Sequence, residues 1–464
     1  MNISIIKNIY FIGIGGIGMS ALARYFHQNN KIVGGYDSNS SDITDSLIDE
    51  GINIHFDNDF FPEWITNAPK ETSLIVYTPA VRNDDAQLLF FRKRGYNIYK
   101  RADVLGFITE NTYTIAVSGT HGKTTTTALL SHILNYASIK STSFLGGISN
   151  NYNTNFLCSD ESDIIIVEAD EYDKSFLKLE PDIIIITSID ADHMDIYKDI
   201  ENLHQTFKDF SNKIKQNGIL LVNKHINVEF PISDSIKMLT YSADIKSDIM
   251  AYNLNINEDE IQSFDAKILD ILPGEIHQAF IDSVQLKLPG KHNVENAIAA
   301  MSIAYYLGAT INQIVKAVSS FSGVKRRFDK YQYGKYIYID DYAHHPKEIE
   351  VTLKAIQKLY PNKKMSVIFQ PHLYSRTLNL ADDFASALSI ADEIMLLDIY
   401  PAREKQIKGV NSEFLAKKIK VSQKSIETKK TVLNKIQNQK RDLLITLGAG
   451  DIDELVNPIK EIYS

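Results

Sequence analysis

The stretch YTIAVSGTHGKTTTTALL, residues 113–130, constrains this chain more than any other feature. A short β-branched run enters a turn containing Gly119 and Gly122, and Lys123 with the threonines after it opens a helical pattern. Glycines at such a turn let successive backbone N–H groups surround phosphate oxygens, and a lysine beside them reaches the outer phosphates as a point charge. The Thr124 hydroxyl is placed to ligate Mg²⁺, which takes hard oxygen ligands. The match departs from G-x-x-x-x-G-K-[ST], because Val117 stands where the first glycine would be. Strand, loop and helix still follow in order. Gly119, Thr120, His121, Gly122, Lys123, Thr124 and Thr125 are therefore expected to bind ATP, against the plainer alternative of a bare helix N-terminus.

A second turn of related design lies nearer the N-terminus. Gly13, Gly15 and Gly18 form G-x-G-x-x-G between a strand at Ile9–Ile12 and a helix at Met19–Gln28, with Gly16 inside the turn. Asp37 closes the next strand, where its carboxylate can accept a ribose hydroxyl. A nicotinamide-dependent oxidoreductase is the obvious rival reading, and a ligand-free strand-to-helix turn is the bland one. Two such turns in series weaken the oxidoreductase reading. They point to one site for ATP and another for a nucleotide-bearing substrate.

The rest of the chain alternates β-branched runs with amphipathic stretches, which is the pattern of βα units around parallel sheets. Between about 220 and 290 the pattern becomes strand-rich and irregular, consistent with an antiparallel addition. A chain of 464 residues accommodates two to four domains. The net charge of -9 argues against a general nucleic-acid binder, which needs a basic face. The one cysteine, Cys158, allows no intrachain disulfide and fits a reducing compartment. The N-terminus lacks the features of a secretory leader, and the apolar runs are too short to span a bilayer. A cytoplasmic protein without membrane or nucleic-acid partners is expected, and a homodimer is compatible with it.

Acidic clusters follow two apolar runs. Glu168-Ala169-Asp170-Glu171 comes after Asp163–Val167, and Asp190-Ala191-Asp192-His193 after Asp182–Ile189. Both are expected at carboxyl ends of strands, where open α/β sheets gather ligands. Glu168 is the best Mg²⁺ candidate. Asp170, Glu171 and Asp192 read equally well as solvated loop acids. On chemistry alone His193 reads as a loop or supporting histidine, since Mg²⁺ prefers oxygen. Asn293 and Asn296 could read a purine edge, although simple N-capping by Asn293 is the plainer account. Lys325-Arg326-Arg327 could grip phosphates or be a solvated cluster. Asp340-Asp341-Tyr342-Ala343-His344-His345-Pro346 and Phe369-Gln370-Pro371-His372-Leu373-Tyr374-Ser375-Arg376 are strand-end loops, and Arg376 is a plausible anion contact.

Taken in order, GIGGIGMSALA at 13–23, GTHGKTTT at 119–126, EADEYDKSFL at 168–177, DADHMDIY at 190–197, GKHNVENA at 290–297, RRFD at 326–329, DDYAHHP at 340–346, FQPHLYSRT at 369–377 and LGAGDI at 447–452 resemble the Mur ligase family over essentially the whole chain. The intact GIGGIGM turn and the DDYAHHP and FQPHLYSRT loops are typical of its alanine-adding members. Tyr172 stands where those members often have serine, so a related ligase that attaches a whole peptide to the same sugar is the closest rival.

The resemblance implies an α/β fold of three domains, each on a mostly parallel sheet. These are a Rossmann-like UDP-sugar-binding domain at 1–107, a central P-loop ATPase domain at 108–323 and a Rossmann-like C-terminal domain at 324–464 that receives the amino acid. It implies an ATP- and Mg²⁺-dependent ligase joining L-alanine to the lactyl carboxylate of UDP-N-acetylmuramate through an acyl-phosphate. That reaction serves peptidoglycan precursor synthesis and hence cell-wall biogenesis, cell shape and cell division. Gly13, Gly15, Gly16, Gly18 and Asp37 would hold the UDP-sugar. Thr124, Glu168 and His193 would hold the metal, which moves His193 from the bland reading to a ligand. Asn293, Asn296, Arg326 and Asp340 would join the phosphate loop in binding ATP. Lys123, His344 and Arg376 would act in catalysis, with His345 beside them.

Overall fold

The computed structural model describes all residues except 2, 192, 193, 198, 258, 259, 271–276 and 403. It contains three sheets, as the α/β reading requires. The chain forms two compact units. One comprises Met1–Leu254, Phe264–Gln285 and Val294–Phe321, and the other Asn255–Ser263, Leu286–Asn293 and Ser322–Ser464.

In the first unit, β1 (Asn8–Ile12), β2 (Ile32–Tyr36), β3 (Asn53–His55), β4 (Ser73–Tyr77) and β5 (Asn97–Lys100) form a sheet of order β3-β2-β1-β4-β5. All of its pairings are parallel. The order reverses around β1, so the turn that follows β1 sits at the position where doubly wound sheets bind ligands.

The second sheet contains β6 (Tyr113–Ser118), β7 (Thr142–Ser149), β8 (Thr154–Cys158), β9 (Ile164–Glu168), β10 (Ile183–Ile186), β11 (Ile219–Asn223), β12 (Lys237–Ser242), β13 (Ile249–Ile256), β14 (Gln262–Asp270) and β15 (His277–Leu286). Its order is β15-β14-β13-β12-β11-β10-β6-β9-β7-β8. The central strands are buried on both faces, which is why β10 reads Ile-Ile-Ile-Ile without polar alternation. The expected antiparallel addition is corrected in part: β11, β12 and β13 run parallel. The hairpin β7–β8, unmarked by any sequence signal noted above, is antiparallel.

The first two sheets share one apolar cluster, running from Phe11 and Leu22 through Phe144, Phe156 and Val167 to Phe207. Tyr25 of helix Ile17–Gln28 packs on Phe144 and Phe156, with ring centroids 5.5 and 6.3 Å away. A polar clasp accompanies these rings. Arg24, 5% exposed, donates from Nε to both Glu50 carboxylate oxygens at 2.9 and 2.8 Å and from Nη2 to Ser46 Oγ at 3.0 Å. Its Nη1 bonds Asn155 Oδ1 on β8, and Asn155 Nδ2 returns to Ser20 Oγ at 2.9 Å and to Ile17 O. Fully buried Asn155 therefore has its amide satisfied by the opening turns of one helix.

The second unit is built on β16 (Asp329–Tyr333), β17 (Tyr336–Asp341), β18 (Met365–Phe369), β19 (Glu393–Leu396), β20 (Gln423–Ile426) and β21 (Leu443–Leu447), in the order β16-β17-β21-β18-β19-β20. Only the edge pair β16–β17 is antiparallel among the pairings described. Apolar clusters cover both faces, one around Ile339, Leu353 and Phe384 and the other around Tyr338, Val432 and Ile459.

Candidate functional site

The phosphate loop joins β6 to helix Lys123–Tyr136. Gly119 has φ +135° and Gly122 φ +83°, conformations that exact a penalty from any residue with a Cβ. Neighbouring side chains crowd both: a Cβ on Gly119 would lie 2.2 Å from Thr187 Oγ1, and one on Gly122 2.7 Å from Asn296 Oδ1. The loop is braced by residues that the sequence reading assigned to a strand. That strand ends at Ile186, short of the expected Ile189, and Thr187 and Ser188 turn onto the loop. Ser188 Oγ accepts from His121 N at 2.8 Å, Ser188 O accepts from Thr120 N at 3.0 Å, and Thr120 Oγ1 accepts from Asp190 N at 3.0 Å. His121 Nε2 lies 3.6 Å from Asp190 Oδ2.

Lys123 points back across its own loop. Its Nζ donates to Gly119 O at 2.6 Å and to Glu171 Oε1 and Oε2 at 3.1 and 2.8 Å. Glu171 is fully buried, which overturns the solvated-loop reading for this residue. Its backbone carbonyl also accepts the Tyr197 hydroxyl. Burial alone would depress the Lys123 ammonium, but the carboxylates of Glu171, Asp170 and Glu168 outweigh it and hold the pKa above the ordinary lysine range. Lys123 is thus a fixed positive charge at the loop.

Glu168 ends β9, paired with Val117 of β6, so its carboxylate emerges beside the loop. Gly146 gives it room, since a Cβ there would lie 2.0 Å from Glu168 Oε2. Thr124, 5% exposed, occupies the first turn of the helix. Hard oxygen donors, with three carboxylates acting on one lysine, are the chemistry that a phosphate-bound Mg²⁺ requires. Thr125 lies buried behind Thr124, and His193 lies outside the described residues.

At the first turn, Asp37 Oδ2 accepts from Gly15 N at 2.8 Å, so one carboxylate oxygen fixes the turn itself. Gly13 takes φ +83° and Gly16 precedes the helix as its N-cap. Asn293 is not the N-cap expected from sequence, because the helix begins at Lys291. Its Nδ2 donates to Pro289 O at 2.7 Å, while Asn296 faces Gly122.

In the second unit, Asp340 and Asp341 are the last residues of β17 rather than loop residues, and both are buried. Arg326, in the left-handed region at φ +61°, bonds Asp340 Oδ2 from Nε at 3.1 Å and Gly448 O from Nη2 at 2.7 Å. Burial raises the Asp340 pKa, and the Arg326 guanidinium opposes the rise. Burial pushes Asp341 up to about 6 despite Arg327 and the N–H groups of Phe328 and Ala343, each 2.8 Å from its carboxylate. A raised acid pKa favours the folded state while protonated, so Asp341 contributes stability that is lost as pH rises from about 4 towards 6 and beyond. The full effect is about 3 kcal/mol. Asp341→Asn is expected to flatten that part of the stability–pH curve, read by urea unfolding from pH 4 to 8.

The guanidinium carbons of Arg326 and Arg327 lie 5.3 and 5.1 Å from the Tyr342 ring centroid. His344 Nδ1 is 3.4 Å from Glu348 Oε2, and its ring meets His372 at 5.9 Å. His372 stacks on Tyr400 at 5.7 Å and lies 3.4 Å from Arg376 Nη1. The structure therefore brings His344 and Arg376 together through His372, and it adds Tyr400, which no sequence motif had marked. His345 separates from this group by capping helix Pro346–Leu359, its Nδ1 accepting from Lys347 N at 3.3 Å.

A nucleotide-type turn at the reversal point of one sheet, a lysine loop among carboxylates on a second, and a third sheet bearing paired arginines and histidines define a modular nucleotide-dependent ligase. The chain matches the Mur ligase family, catalytic domain, over residues 8–113, the Mur ligase middle domain over 117–304 and the Mur ligase glutamate ligase domain over 326–450. It belongs to the Mur ligase family. A UDP-N-acetylmuramate–L-alanine ligase of Cytophaga hutchinsonii is 42% identical over 99% of this chain and 97% of the relative. That of Christiangramia forsetii is 44% identical over 98% and 97%. Among solved structures, the UDP-N-acetylmuramate–alanine ligase of Thermotoga maritima aligns over 98% of this chain and 99% of its own, with a TM-score of 0.79 and 26% identity.

Proposed function

We propose that this chain joins L-alanine to the lactyl carboxylate of UDP-N-acetylmuramate at the expense of ATP, in the cytoplasm, as a step of peptidoglycan precursor synthesis. The carrying observation is the Lys123 ammonium, held charged between the phosphate loop and buried Glu171, in a chain that matches alanine-adding ligases along almost its full length. The relatives' names supply the substrates, and the placement of the two glycine turns on separate sheets supports the division of labour read here. In this reading 1–107 binds the UDP-sugar through Gly13, Gly15, Gly16, Gly18 and Asp37. Region 108–323 binds ATP through Gly119 to Thr125, Asn293 and Asn296, and 324–464 receives the amino acid.

The lactyl carboxylate attacks the γ-phosphorus of ATP, and the bond to the β,γ-bridging oxygen breaks to release ADP. Lys123 and the loop N–H groups offset the charge gathering on the transferred group. Bound Mg²⁺, held by Thr124, Glu168 and His193, would supply further charge neutralisation on the phosphates. The neutral amine of L-alanine then attacks the acyl carbon, and phosphate leaves. Arg326 and Asp340 are assigned to ATP, and Arg376 to an anionic group of the acyl-phosphate or amino acid. His344, steadied by Glu348, is assigned the amine proton.

ADP release measured with UDP-N-acetylmuramate and a panel of acceptors tests the reading. L-Alanine should be strongly preferred, and a preference for a whole peptide would move the chain to the peptide-attaching branch of the family. Arg376→Ala is expected to slow ligation roughly tenfold or more with little change in the KM for ATP. Unchanged kinetics would remove Arg376 from the site.

A further inference from the structure

Leu373 is a backbone outlier in the loop that carries Arg376. Its φ is +69° and its ψ 134°, a region that a residue with a Cβ occupies only when its surroundings hold it there. Leu373 is also the N-cap of helix Tyr374–Asn379, where a leucine side chain can accept no hydrogen bond. The first N–H groups of that helix need acceptors from elsewhere.

The segment after β19 supplies them. Ser375 N donates to Glu404 Oε2 at 3.0 Å, and Ser375 Oγ donates to Glu404 Oε1. One carboxylate, 29 residues away in sequence, thus takes both donors of the residue before Arg376. The same segment grips the strained residue directly: Leu373 N donates to Tyr400 O at 2.9 Å, and Tyr400 N donates to Pro371 O at 2.8 Å. Fully buried Thr377 closes the turn from inside, donating to Leu373 O from N at 3.1 Å and from Oγ1 at 2.8 Å. Backbone bonds fix Leu373, and Glu404 fixes the residue between Leu373's turn and the arginine. Two bonds from one residue to one planar acceptor set its rotation as well as its position, and bonds to an ionised acceptor are the stronger kind.

We infer that Glu404 is a positioning residue for ligation, acting through Ser375 to aim the Arg376 guanidinium. This rests on the reading that Arg376 meets an anionic group of the acyl-phosphate or amino acid, and it deepens that reading by naming what holds the arginine in place. Glu404 itself touches no substrate in this account. Its carboxylate offsets the missing cap at Leu373 and keeps the turn in a conformation that leucine would otherwise leave.

The test is a double-variant cycle on the full chain, read as ADP release with UDP-N-acetylmuramate, ATP and varied L-alanine. Glu404→Ala should lower kcat/KM for L-alanine roughly tenfold or more, the worth of losing hydrogen bonds to a charged group. The KM for ATP should stay within about twofold. Glu404→Gln should recover part of the loss, because its carbonyl can accept from Ser375 N while its amide donates to Ser375 Oγ. In an Arg376→Ala background, Glu404→Ala should cost little more. Ser375→Ala, which removes one of the two contacts, should show a smaller loss with the same non-additivity, and it serves if Glu404→Ala compromises folding by circular dichroism. An unchanged kcat/KM in folded Glu404→Ala overturns the positioning role. So does an equal loss with and without the arginine, which would mark general damage to the loop. An Arg376→Ala variant that ligates as well as the wild type overturns the reading of Arg376 itself, and the role of Glu404 with it.

Discussion

Lys123→Ala is expected to reduce turnover by roughly 10³-fold or more while leaving UDP-sugar binding nearly intact. The catalytic loss follows from removing an ammonium that bonds the phosphate loop, where charge develops during phosphoryl transfer. Preserved sugar binding follows because the first glycine turn belongs to another sheet. The substitution has a second consequence. It leaves Glu171, fully buried, without its ammonium partner, and stranding a buried charge costs about 3–5 kcal/mol. Lys123→Met/Glu171→Gln should therefore be more stable than Lys123→Met alone, although both are inactive. Urea unfolding of the two single variants and the double variant measures the coupling. If Lys123→Ala abolished sugar binding in a folded protein, the assignment of separate ligands to the two turns would be wrong.

Glu168→Gln is expected to lower kcat by roughly 10²-fold and to raise the Mg²⁺ concentration needed for half-maximal rate. Glutamine preserves the side-chain volume that fills the space beside Gly146, so the strand end should keep its shape. Only the anionic oxygen is lost. Mg²⁺ titration of the ADP-release rate separates the two effects, because a merely structural defect would lower kcat at every Mg²⁺ concentration without moving the midpoint. An unmoved midpoint would take Glu168 out of the metal site.

The parts of this site that were legible in the sequence share one property: local geometry forces the residue type. Gly119 and Gly122 need positive φ, and Lys123 follows at a spacing that only a phosphate loop makes sensible. The parts that were not legible depend on contacts between distant segments. Thr187 and Ser188 looked like the tail of a β-branched strand, because nothing local shows that they bond His121 and Thr120 instead. Glu171 read equally well as a solvated loop acid, because burial of a carboxylate is visible only once Lys123 is seen against it. Asp340 and Asp341 were placed in a loop, since two adjacent acids rarely continue a strand. Arg326 and the backbone N–H groups of Phe328 and Ala343 make that continuation tolerable. The likeness to Mur ligases carried the assignment of Asn293, Asn296 and His193 beyond what residue chemistry alone supports.

The clasp between Arg24, Asn155 and the start of helix Ile17–Gln28 fastens the sheet bearing the first turn to the sheet bearing the phosphate loop. Two anchorage points on a common rigid frame act as a ruler. A sugar nucleotide gripped at its uridine end presents its carboxylate at a reach set by its own covalent length. Under the proposed assignment, a muramyl nucleotide whose carboxylate is held short of the phosphate loop should bind yet be phosphorylated more slowly, so fidelity at this step can come from distance as much as from contact.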